Sequence, residues 1–269
     1  MSLSLPSHEL ARAAQQPRFE AFGLSDVGRV RETNEDCFAV HPHLGLFLVA
    51  DGLGGHASGE VASRMAVESV REVFEDPDAT WPRGLDAPCR LPGPSALVAG
   101  VELANARIFT AAARERSSRG MGTTLVGALA WGERIVFAHV GDSRAYRLRG
   151  PTLDLLTEDH SLVNDRVRAG LLTPEQARTS PFQNVITRCV GARAEVEVEI
   201  QIDLPRAGDV YLLCSDGLSG VIEHRELTAI LLEHRDLCRT VARLVERANE
   251  LGGPDNITAV LLRVSDPTR

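Results

Sequence analysis

The sequence lacks the features that mark membrane, secreted and nucleic-acid-binding proteins. No apolar run approaches the roughly 18 residues that a membrane-spanning helix needs. The N-terminus does not have the basic and then apolar pattern of a signal peptide. The formal net charge is −8, whereas a nucleic-acid-binding surface needs an excess of Lys and Arg. We therefore expect a protein that functions without a membrane and without nucleic acid.

Cysteine is also scarce. The five cysteines stand at positions 37, 89, 189, 214 and 238, their number is odd, and no Cys-x-x-Cys pair occurs. This pattern excludes a disulfide framework and a cysteine-based zinc site. We interpret the cysteines as reduced thiols, which are typical of cytoplasmic proteins.

The composition is that of an ordinary globular protein. Of the 269 residues, 43% are hydrophobic and 25% are charged. A chain of this length can bury most of the surface that it exposes when unfolded. We predict a flexible N-terminal tail at residues 1–17, which are polar and rich in alanine, and a single folded domain at residues 18–265.

Aspartates recur where apolar runs of strand length begin or end. Asp51 and Asp216 directly follow such runs, Asp142 comes one glycine after another, and Asp255 precedes the run at 257–264. A carboxylate is costly to bury, so each aspartate belongs at a strand end, where it is paired or binds a cation. The neighbouring glycines let the backbone turn sharply and approach a metal closely.

A further acidic pair, Glu35 and Asp36, precedes the apolar run at 37–40. Carboxylates that converge from several strands repel one another unless cations lie between them. Oxygen-only ligand sets favour hard ions such as magnesium or manganese. The alternative is that these are turn aspartates, because Asp-Gly is common in turns. For Asp142 the alternative is a turn with an ion pair to Arg144.

The order of the predicted elements indicates an α+β protein. Strands are predicted at residues 19–24, 37–40, 44–50, 124–131, 134–140, 145–149, 195–204, 210–215 and 256–264, and helices at 59–74, 95–116, 225–233 and 237–251. Strands and helices do not alternate regularly, which argues against a doubly wound parallel sheet. Two antiparallel sheets that pack together, with helices outside, fit better. The segment at about 157–190 is helical and interrupted, with a capping-box start at Thr173.

The acidic residues belong to short motifs that occur in one order along the chain. The motifs lie at residues 30–36 (VRETNED), 50–56 (ADGLGGH), 120–124 (GMGTT), 141–144 (GDSR), 214–218 (CSDGL) and 253–256 (GPDN). Together they resemble the metal-dependent Ser/Thr protein phosphatase family, protein phosphatase 2C, in its bacterial form. The resemblance covers about residues 19–264. It implies a four-layer αββα sandwich, in which helices flank two antiparallel sheets and a metal cleft lies at one end.

The resemblance also implies an activity and its metal ligands. The expected reaction is hydrolysis of phosphoserine and phosphothreonine on proteins by a metal-activated water, with two Mn²⁺ or Mg²⁺ ions as cofactors. Asp51 would bridge the two ions, and the carbonyl of Gly52 would bind one of them. Asp216 and Asp255 would complete the protein ligands of the other.

Further residues take their roles from the same resemblance. Glu35 and Asp36 would hold metal-bound waters, and Asp142, with Asp216, would bind a third, weaker ion. Arg31 would grip the phosphate oxygens, since a guanidinium matches phosphate in bidentate fashion. Many eukaryotic members carry a histidine directly after Asp-Gly. Here that position is a leucine and His56 comes three residues later, so the role of His56 as the general acid stays open.

Several alternatives remain at this point. Arg31 could be a solvated surface residue, with Arg29 close by in sequence. The protein could be a catalytically weak regulator that binds phosphoproteins, although such proteins usually lose metal-binding aspartates and none is lost here. It could also hydrolyse small phosphoesters. We expect a cytoplasmic monomer whose partners are phosphorylated proteins, including Ser/Thr kinases and their substrates, and whose flap at about 157–190 sets substrate choice.

Overall fold

The computed structural model describes residues 19–54, 57–75, 93–114, 120–233 and 236–265. The strands are β1 (Phe19–Asp26), β2 (Asp36–His41), β3 (Leu46–Leu53), β4 (Gly122–Thr123), β5 (Leu125–Trp131), β6 (Arg134–Val140), β7 (Arg144–Arg149), β8 (Thr152–Leu155), β9 (Glu199–Asp203), β10 (Val210–Cys214) and β11 (Ile257–Val264). The helices are α1 (Ala57–Glu75), α2 (Gly93–Arg114), α3 (Leu162–Arg168), α4 (Pro174–Arg178), α5 (Asp216–Ser219), α6 (His224–Glu233) and α7 (Leu237–Glu250).

The strands form two antiparallel sheets. One sheet has the order β1-β11-β10-β7-β8, and the other has the order β2-β3-β5-β6-β9 with β4 paired to β3. The pairings between neighbouring strands are antiparallel in both sheets. Because β11 lies between β1 and β10, strands from both ends of the described chain meet in one sheet.

Three apolar clusters separate four layers. Phe47, Phe137 and Tyr211 belong to the cluster between the two sheets. A second cluster joins α1 and α2 to the sheet that contains β3, and a third joins α6 and α7 to the sheet that contains β10. This arrangement confirms the predicted αββα sandwich of two antiparallel sheets flanked by helices.

Helix α7 shows how local sequence builds one layer and delivers a site residue. Val241, Leu244, Val245 and Ala248 recur at helical spacing and are buried against the sheet. The Asp236 side chain caps the N-terminus by accepting a hydrogen bond from the Arg239 backbone N–H. The helix ends at two glycines with positive φ, 117° at position 252 and 48° at position 253, which turn the chain towards residue 255.

Among the described residues one helix, α2, is long and apolar enough by length and composition to cross a membrane. No apolar stretch of this length is predicted from the sequence. This helix was missed because Glu102 and Arg107 interrupt its apolar run. Leu97, Val101 and Ile108 of this helix are buried in the cluster that it shares with α1. The helix therefore packs as a core helix of the sandwich.

Most predicted elements are confirmed, and the differences have simple causes. Strand β8 was not predicted because it has four residues and follows β7 through a tight turn at Gly150, whose φ is 57°. Helix α5 was missed because it is a single turn of four residues. Strand β9 begins at Glu199 rather than at 195, since only residues 199–203 pair with β6.

The segment at 157–190 leaves the sandwich and returns to it. It contains α3 and α4, and the predicted capping box at Thr173 is confirmed by both of its hydrogen bonds. Isolated bridges join Ser161 to Ile186 and Thr123 to Val190. The segment is thus anchored at both ends. The predicted tail at 1–17 lies outside the described residues, so the domain boundary at residue 18 stays a prediction.

Candidate metal centre

Five aspartates meet at one end of the sandwich. Asp36 and Asp51 are register partners at the start of β2 and near the end of β3. Asp216 begins α5 with one residue between it and the end of β10, Asp255 lies in the turn before β11, and Asp142 follows β6. Each aspartate therefore stands where a strand with an apolar interior begins or ends, and strands of both sheets contribute.

Asp36 joins the two sheets through its side chain. Its Oδ2 atom accepts hydrogen bonds from the Ser215 hydroxyl at 2.8 Å and the Thr258 hydroxyl at 2.6 Å. Its Oδ1 atom is buried and has no hydrogen-bond partner in the described part of the chain. Burial, with smaller contributions from Asp216 and Asp255, raises the pKa of Asp36 to about 7.

The backbone of Asp51 is fixed on both sides, which leaves its carboxyl group to face the other acids. Its N–H donates to the Thr124 hydroxyl at 3.0 Å. Its carbonyl oxygen accepts from the Thr124 N–H and from the Thr123 hydroxyl, each at 2.8 Å. Burial raises the pKa of Asp51 well above its ordinary value, and repulsion from Asp36 and Asp216 adds to the effect.

Gly52 occupies a position with no room for a side chain. A Cβ atom on Gly52 would overlap the carbonyl oxygen of Gly59 and lie 2.7 Å from the carbonyl oxygen of Glu35. The Gly52 N–H donates to that Glu35 carbonyl at 3.1 Å. The Glu35 carboxylate lies against Gly59 in the first turn of α1, where the helix dipole favours negative charge. The glycines thus hold Glu35 beside the Asp51–Gly52 strand end.

Arg31 stands at the rim of this acidic group. Its Nη2 atom is 2.7 Å from Oδ2 of Asp255, and its side chain is 52% exposed. The hydrogen bond to Asp255 raises the pKa of Arg31, and the charges of Glu35 and Asp51 act in the same direction. A cationic, solvent-facing side chain is therefore held next to the carboxylates.

Asp142 approaches the group from β6. Its side chain is buried, and Oδ1 has no hydrogen-bond partner among the residues that the structure describes. Burial, followed by repulsion from Asp216, raises the pKa of Asp142 to about 7. Burial likewise raises the pKa of Asp216, and repulsion from Asp255 adds to it.

These carboxylates fit divalent cations. Like charges placed opposite each other on paired strands, as Asp36 and Asp51 are, destabilise a sheet. Buried carboxylate oxygens of Asp36, Asp142 and Asp216 also have no partner within the described ranges. A cation would neutralise the repulsion and ligate such oxygens. The oxygen donors suit Mg²⁺ or Mn²⁺.

Comparison with protein families identifies the family of the fold. The model of the family described as protein phosphatase 2C matches residues 29–261. The chain belongs to the protein phosphatase 2C family. The match begins just before Arg31 and ends within β11, so it spans the whole acidic group.

Relatives within the family are similar over most of the chain. The serine/threonine phosphatase Stp of Listeria welshimeri is 36% identical over 249 residues, which cover 88% of this chain and 93% of that protein. The serine/threonine protein phosphatase PstP of Mycobacterium tuberculosis is 39% identical over 258 residues, which cover 96% of this chain and 47% of that protein.

Solved structures of phosphatase 2C domains share the fold. A crystal structure of the M. tuberculosis phosphatase PstP superimposes with a TM-score of 0.82 at 35% identity, covering 92% of this chain and 99% of that one. A structure of the PstP catalytic domain in complex with two manganese ions has a TM-score of 0.79 at 36% identity, with coverages of 92% and 99%. That relative therefore binds two manganese ions on the same fold.

The structure brings the predicted phosphatase 2C site residues together, with one exception. The residues that converge are Arg31, Glu35, Asp36, Asp51, Gly52, Asp142, Asp216 and Asp255. His56 lies outside the described residues, so its role stays a prediction. The alternative in which Asp142 pairs with Arg144 is wrong. Arg144 instead donates to both carboxylate oxygens of Asp159, at 2.8 and 2.6 Å.

Sequence reasoning gave no role to several polar residues that support the phosphatase centre. Ser215 and Thr258 orient Asp36. Asn256 ties the Arg31 loop to the Asp255 turn, because its Oδ1 accepts from the Glu35 N–H and its Nδ2 donates to the carbonyls of Val27 and Thr33. Ser215 and Asn256 are direct neighbours of predicted ligands, which was the one signal available for them.

The raised carboxyl pKa values predict how pH affects the metal-free phosphatase. Between its ordinary pKa and about 7, Asp36 holds a proton in the folded state that it releases on unfolding. Its contribution to stability is therefore lost as pH rises through that window. We expect the wild type to lose stability relative to Asp36→Asn between about pH 5.5 and about pH 7.5.

Urea unfolding of both proteins in chelator, at the two pH values, measures this difference. Comparison with the variant cancels titrating groups that do not interact with Asp36, such as His160, whose pKa burial lowers. Parallel pH dependence in the two proteins would show that Asp36 titrates normally in the folded state.

Proposed function

We propose that this chain hydrolyses phosphoserine and phosphothreonine on proteins. One observation supports the proposal most directly: at least five carboxylates from both sheets converge beside the exposed guanidinium of Arg31. The first group suits two divalent cations and the second suits a phosphate monoester. Relatives that are named serine/threonine phosphatases support the substrate class.

Some of these residues would bind metal ions or phosphate, and others orient the binding residues. Asp51, the Gly52 carbonyl, Asp216 and Asp255 would hold two Mn²⁺ or Mg²⁺ ions, with Glu35 and Asp36 held behind them. When bound, such ions activate a water molecule as the nucleophile and withdraw charge from the phosphoryl oxygens. Arg31 would fix two oxygens of the phosphate and offset the charge that develops on them. The hydroxyl and amide network around Asp36 and Asn256 keeps these groups in place.

We also propose a third, weaker ion at Asp142. The support is a buried Oδ1 atom with no partner in the described chain, together with the repulsion between Asp142 and Asp216. A cation shared by these two carboxylates would relieve both. His56 remains a candidate for the acid that protonates the leaving alkoxide.

We propose that the substrates include cytoplasmic Ser/Thr kinases and the proteins that they phosphorylate. The cysteines in the described part of the chain, Cys37, Cys189, Cys214 and Cys238, are free thiols, which suits a reducing compartment. The segment at 157–190 starts and ends beside the centre, so substrate proteins that dock at the centre would touch it.

Release of phosphate from a phosphothreonine peptide tests the proposed function. We expect turnover with Mn²⁺ and none with excess chelator, and we expect p-nitrophenyl phosphate to be a poorer substrate by kcat/KM. A folded protein that binds Mn²⁺ but leaves several phosphopeptides intact while cleaving small phosphoesters would contradict the protein-phosphatase assignment.

A prediction about Arg31 follows from its position at the rim. Arg31→Ala is expected to lower kcat/KM for the phosphopeptide about 10- to 100-fold, because a charge-assisted, bidentate contact to phosphate is lost. Arg29→Ala is the matched control, since Arg29 is also exposed and binds Gly253 through its backbone N–H. Equal losses in the two variants would mean that general positive charge, rather than Arg31, attracts the substrate.

A further inference from the structure

The first residues of the segment at 157–190 hold the turn that carries Asp142. The backbone N–H of His160 donates to the Gly141 carbonyl at 3.0 Å. In the opposite direction the Gly141 N–H donates to Nδ1 of the His160 ring, also at 3.0 Å. One residue thus binds both backbone polar groups of Gly141, the residue that immediately precedes Asp142.

Gly141 gives this turn little freedom. Its φ is 105°, a left-handed conformation that residues with a side chain rarely adopt. A Cβ atom there would lie 2.7 Å from the side chain of Thr124, which also binds the backbone of Asp51. The Gly141 N–H is buried in this turn, and a buried donor without an acceptor is strongly disfavoured. The orientation of Asp142 therefore depends on an acceptor at the position of Nδ1.

The Gly141 N–H, which can only donate, makes Nδ1 of His160 the acceptor. Nε2 lies 3.0 Å from Oε1 of Glu199 in β9, and the ring stacks on His139 of β6 with centroids 4.8 Å apart and planes 16° apart. Since Nδ1 accepts from Gly141, Nε2 carries the proton and donates it to Glu199. Burial lowers the pKa of His160, which favours this neutral form.

The same three side chains resemble a metal site, but their geometry argues against one. His139, His160 and Glu199 have ligand atoms within 4.8 Å of one another. Stacked rings direct their lone pairs in parallel rather than towards one ion. Nε2 of His139 is also 2.9 Å from the Glu158 carbonyl, and Nη1 of Arg188 is 3.2 Å from Nε2 of His160. The cluster orders the His160 ring instead of holding a cation.

We propose that His160 is a positioning residue that orients Asp142 for a divalent cation through the hydrogen bond from the Gly141 N–H to Nδ1. This inference rests on the proposed role of Asp142 as the ligand of the weaker ion. On this inference the start of the 157–190 segment supports metal binding at Asp142, although the segment itself contributes no ligand there.

Two substitutions distinguish the contribution of Nδ1 of His160 from that of Nε2. Asn at position 160 keeps an acceptor where Nδ1 stands, whereas Gln keeps a polar atom near Nε2 and loses the acceptor. We expect His160→Gln to weaken the weakest Mn²⁺ binding step about tenfold or more, as leaving a buried donor unpaired does. We expect His160→Asn to stay within about threefold of wild type, although it loses more of the ring.

Titration of the unloaded proteins with Mn²⁺, with free Mn²⁺ followed by electron paramagnetic resonance, measures this step without any assay of activity. Asp142→Asn provides the reference for loss of the weak step. The proposal is supported if the weakest Mn²⁺ binding step is lost in the Gln variant and retained in the Asn variant. Equal losses, or a greater loss for Asn, would assign the effect to ring packing and overturn it. Normal binding in the Gln variant, when Asp142→Asn has lost the step, would overturn it as well.

Two further outcomes are decided by additional measurements. If Asp142→Asn binds Mn²⁺ like wild type, Asp142 is not a ligand and the inference fails with that assignment, whereas phosphopeptide hydrolysis still tests the phosphatase proposal. If His160→Gln does not fold in chelator, His160→Asn decides the matter, because the proposal requires that variant to keep the weak Mn²⁺ step. Loss of the weak step in a folded His160→Asn protein would contradict the proposal.

Discussion

Replacement of Asp216 by Asn is expected to abolish phosphopeptide hydrolysis and, at the same time, to stabilise the metal-free protein. The activity falls by a factor on the order of 10³ or more, because the amide cannot replace an anionic ligand in a centre that works by charge stabilisation. Stability rises because Asp216 raises the pKa values of Asp36, Asp51 and Asp142 by repulsion, and the variant removes that repulsion. Loss of function and gain of stability thus have one electrostatic cause.

The stability gain is measurable by thermal unfolding in chelator. A relief of about 1 kcal/mol corresponds to roughly 2–4 °C for a domain of this size. Asp154→Asn is the matched control, since Asp154 lies on β8, is 40% exposed and pairs with Arg147 at 2.7 Å. That variant should keep its activity and gain no stability. An Asp216→Asn protein that is active with Mn²⁺, or that melts below wild type in chelator, would refute the assignment.

Replacement of Gly52 by Ala is expected to damage both the fold and the centre. The added Cβ overlaps the Gly59 carbonyl oxygen, so α1 must move away from β3. Overpacking of this kind costs about 1–3 kcal/mol, and a backbone contact cannot relax as a side chain can. The same movement shifts the Gly52 carbonyl and the Glu35 carboxylate, so we expect kcat to fall on the order of 100-fold.

Gly150→Ala is the control for this substitution. Gly150 has a φ of 57°, but a Cβ atom there would meet nothing within 4 Å. Ala at that position should cost about 1 kcal/mol from backbone conformation alone and leave kcat unchanged. Circular dichroism melting and steady-state kinetics on both variants distinguish the two effects. A Gly52→Ala protein with the melting temperature and kcat of wild type would show that the strand end tolerates a side chain.

The sequence predicted the positions of the acidic residues better than the contacts that support them. Asp51, Asp142 and Asp216 could be found because a strand that ends on a carboxylate is visible locally. The bond from Ser215 to Asp36 joins residues 179 positions apart, and the bond from Thr258 spans 222 positions. Such contacts depend on how β10 and β11 pack over β2, which no local pattern specifies.

The role of His160 could not be predicted for a similar reason. Its sequence surroundings fit a structural histidine, and its link to Gly141 exists only because the segment after β8 folds back on the end of β6. The short elements were not predicted for another reason. Strand β8 and helix α5 have four residues each, too few to display a period of two or of 3.6 residues.

The side-chain bonds from Ser215 and Thr258 to Asp36 have a consequence for biosynthesis. The acidic residues are drawn from early, middle and late parts of the described chain, and β11 lies between β1 and β10. In a nascent chain whose segment from Asp255 to the end of β11 is still inside the ribosome, neither Asp255 nor the strand that pairs with β1 is available for folding. The acidic group can therefore assemble in full only after that strand has emerged, so an incomplete chain has an incomplete centre.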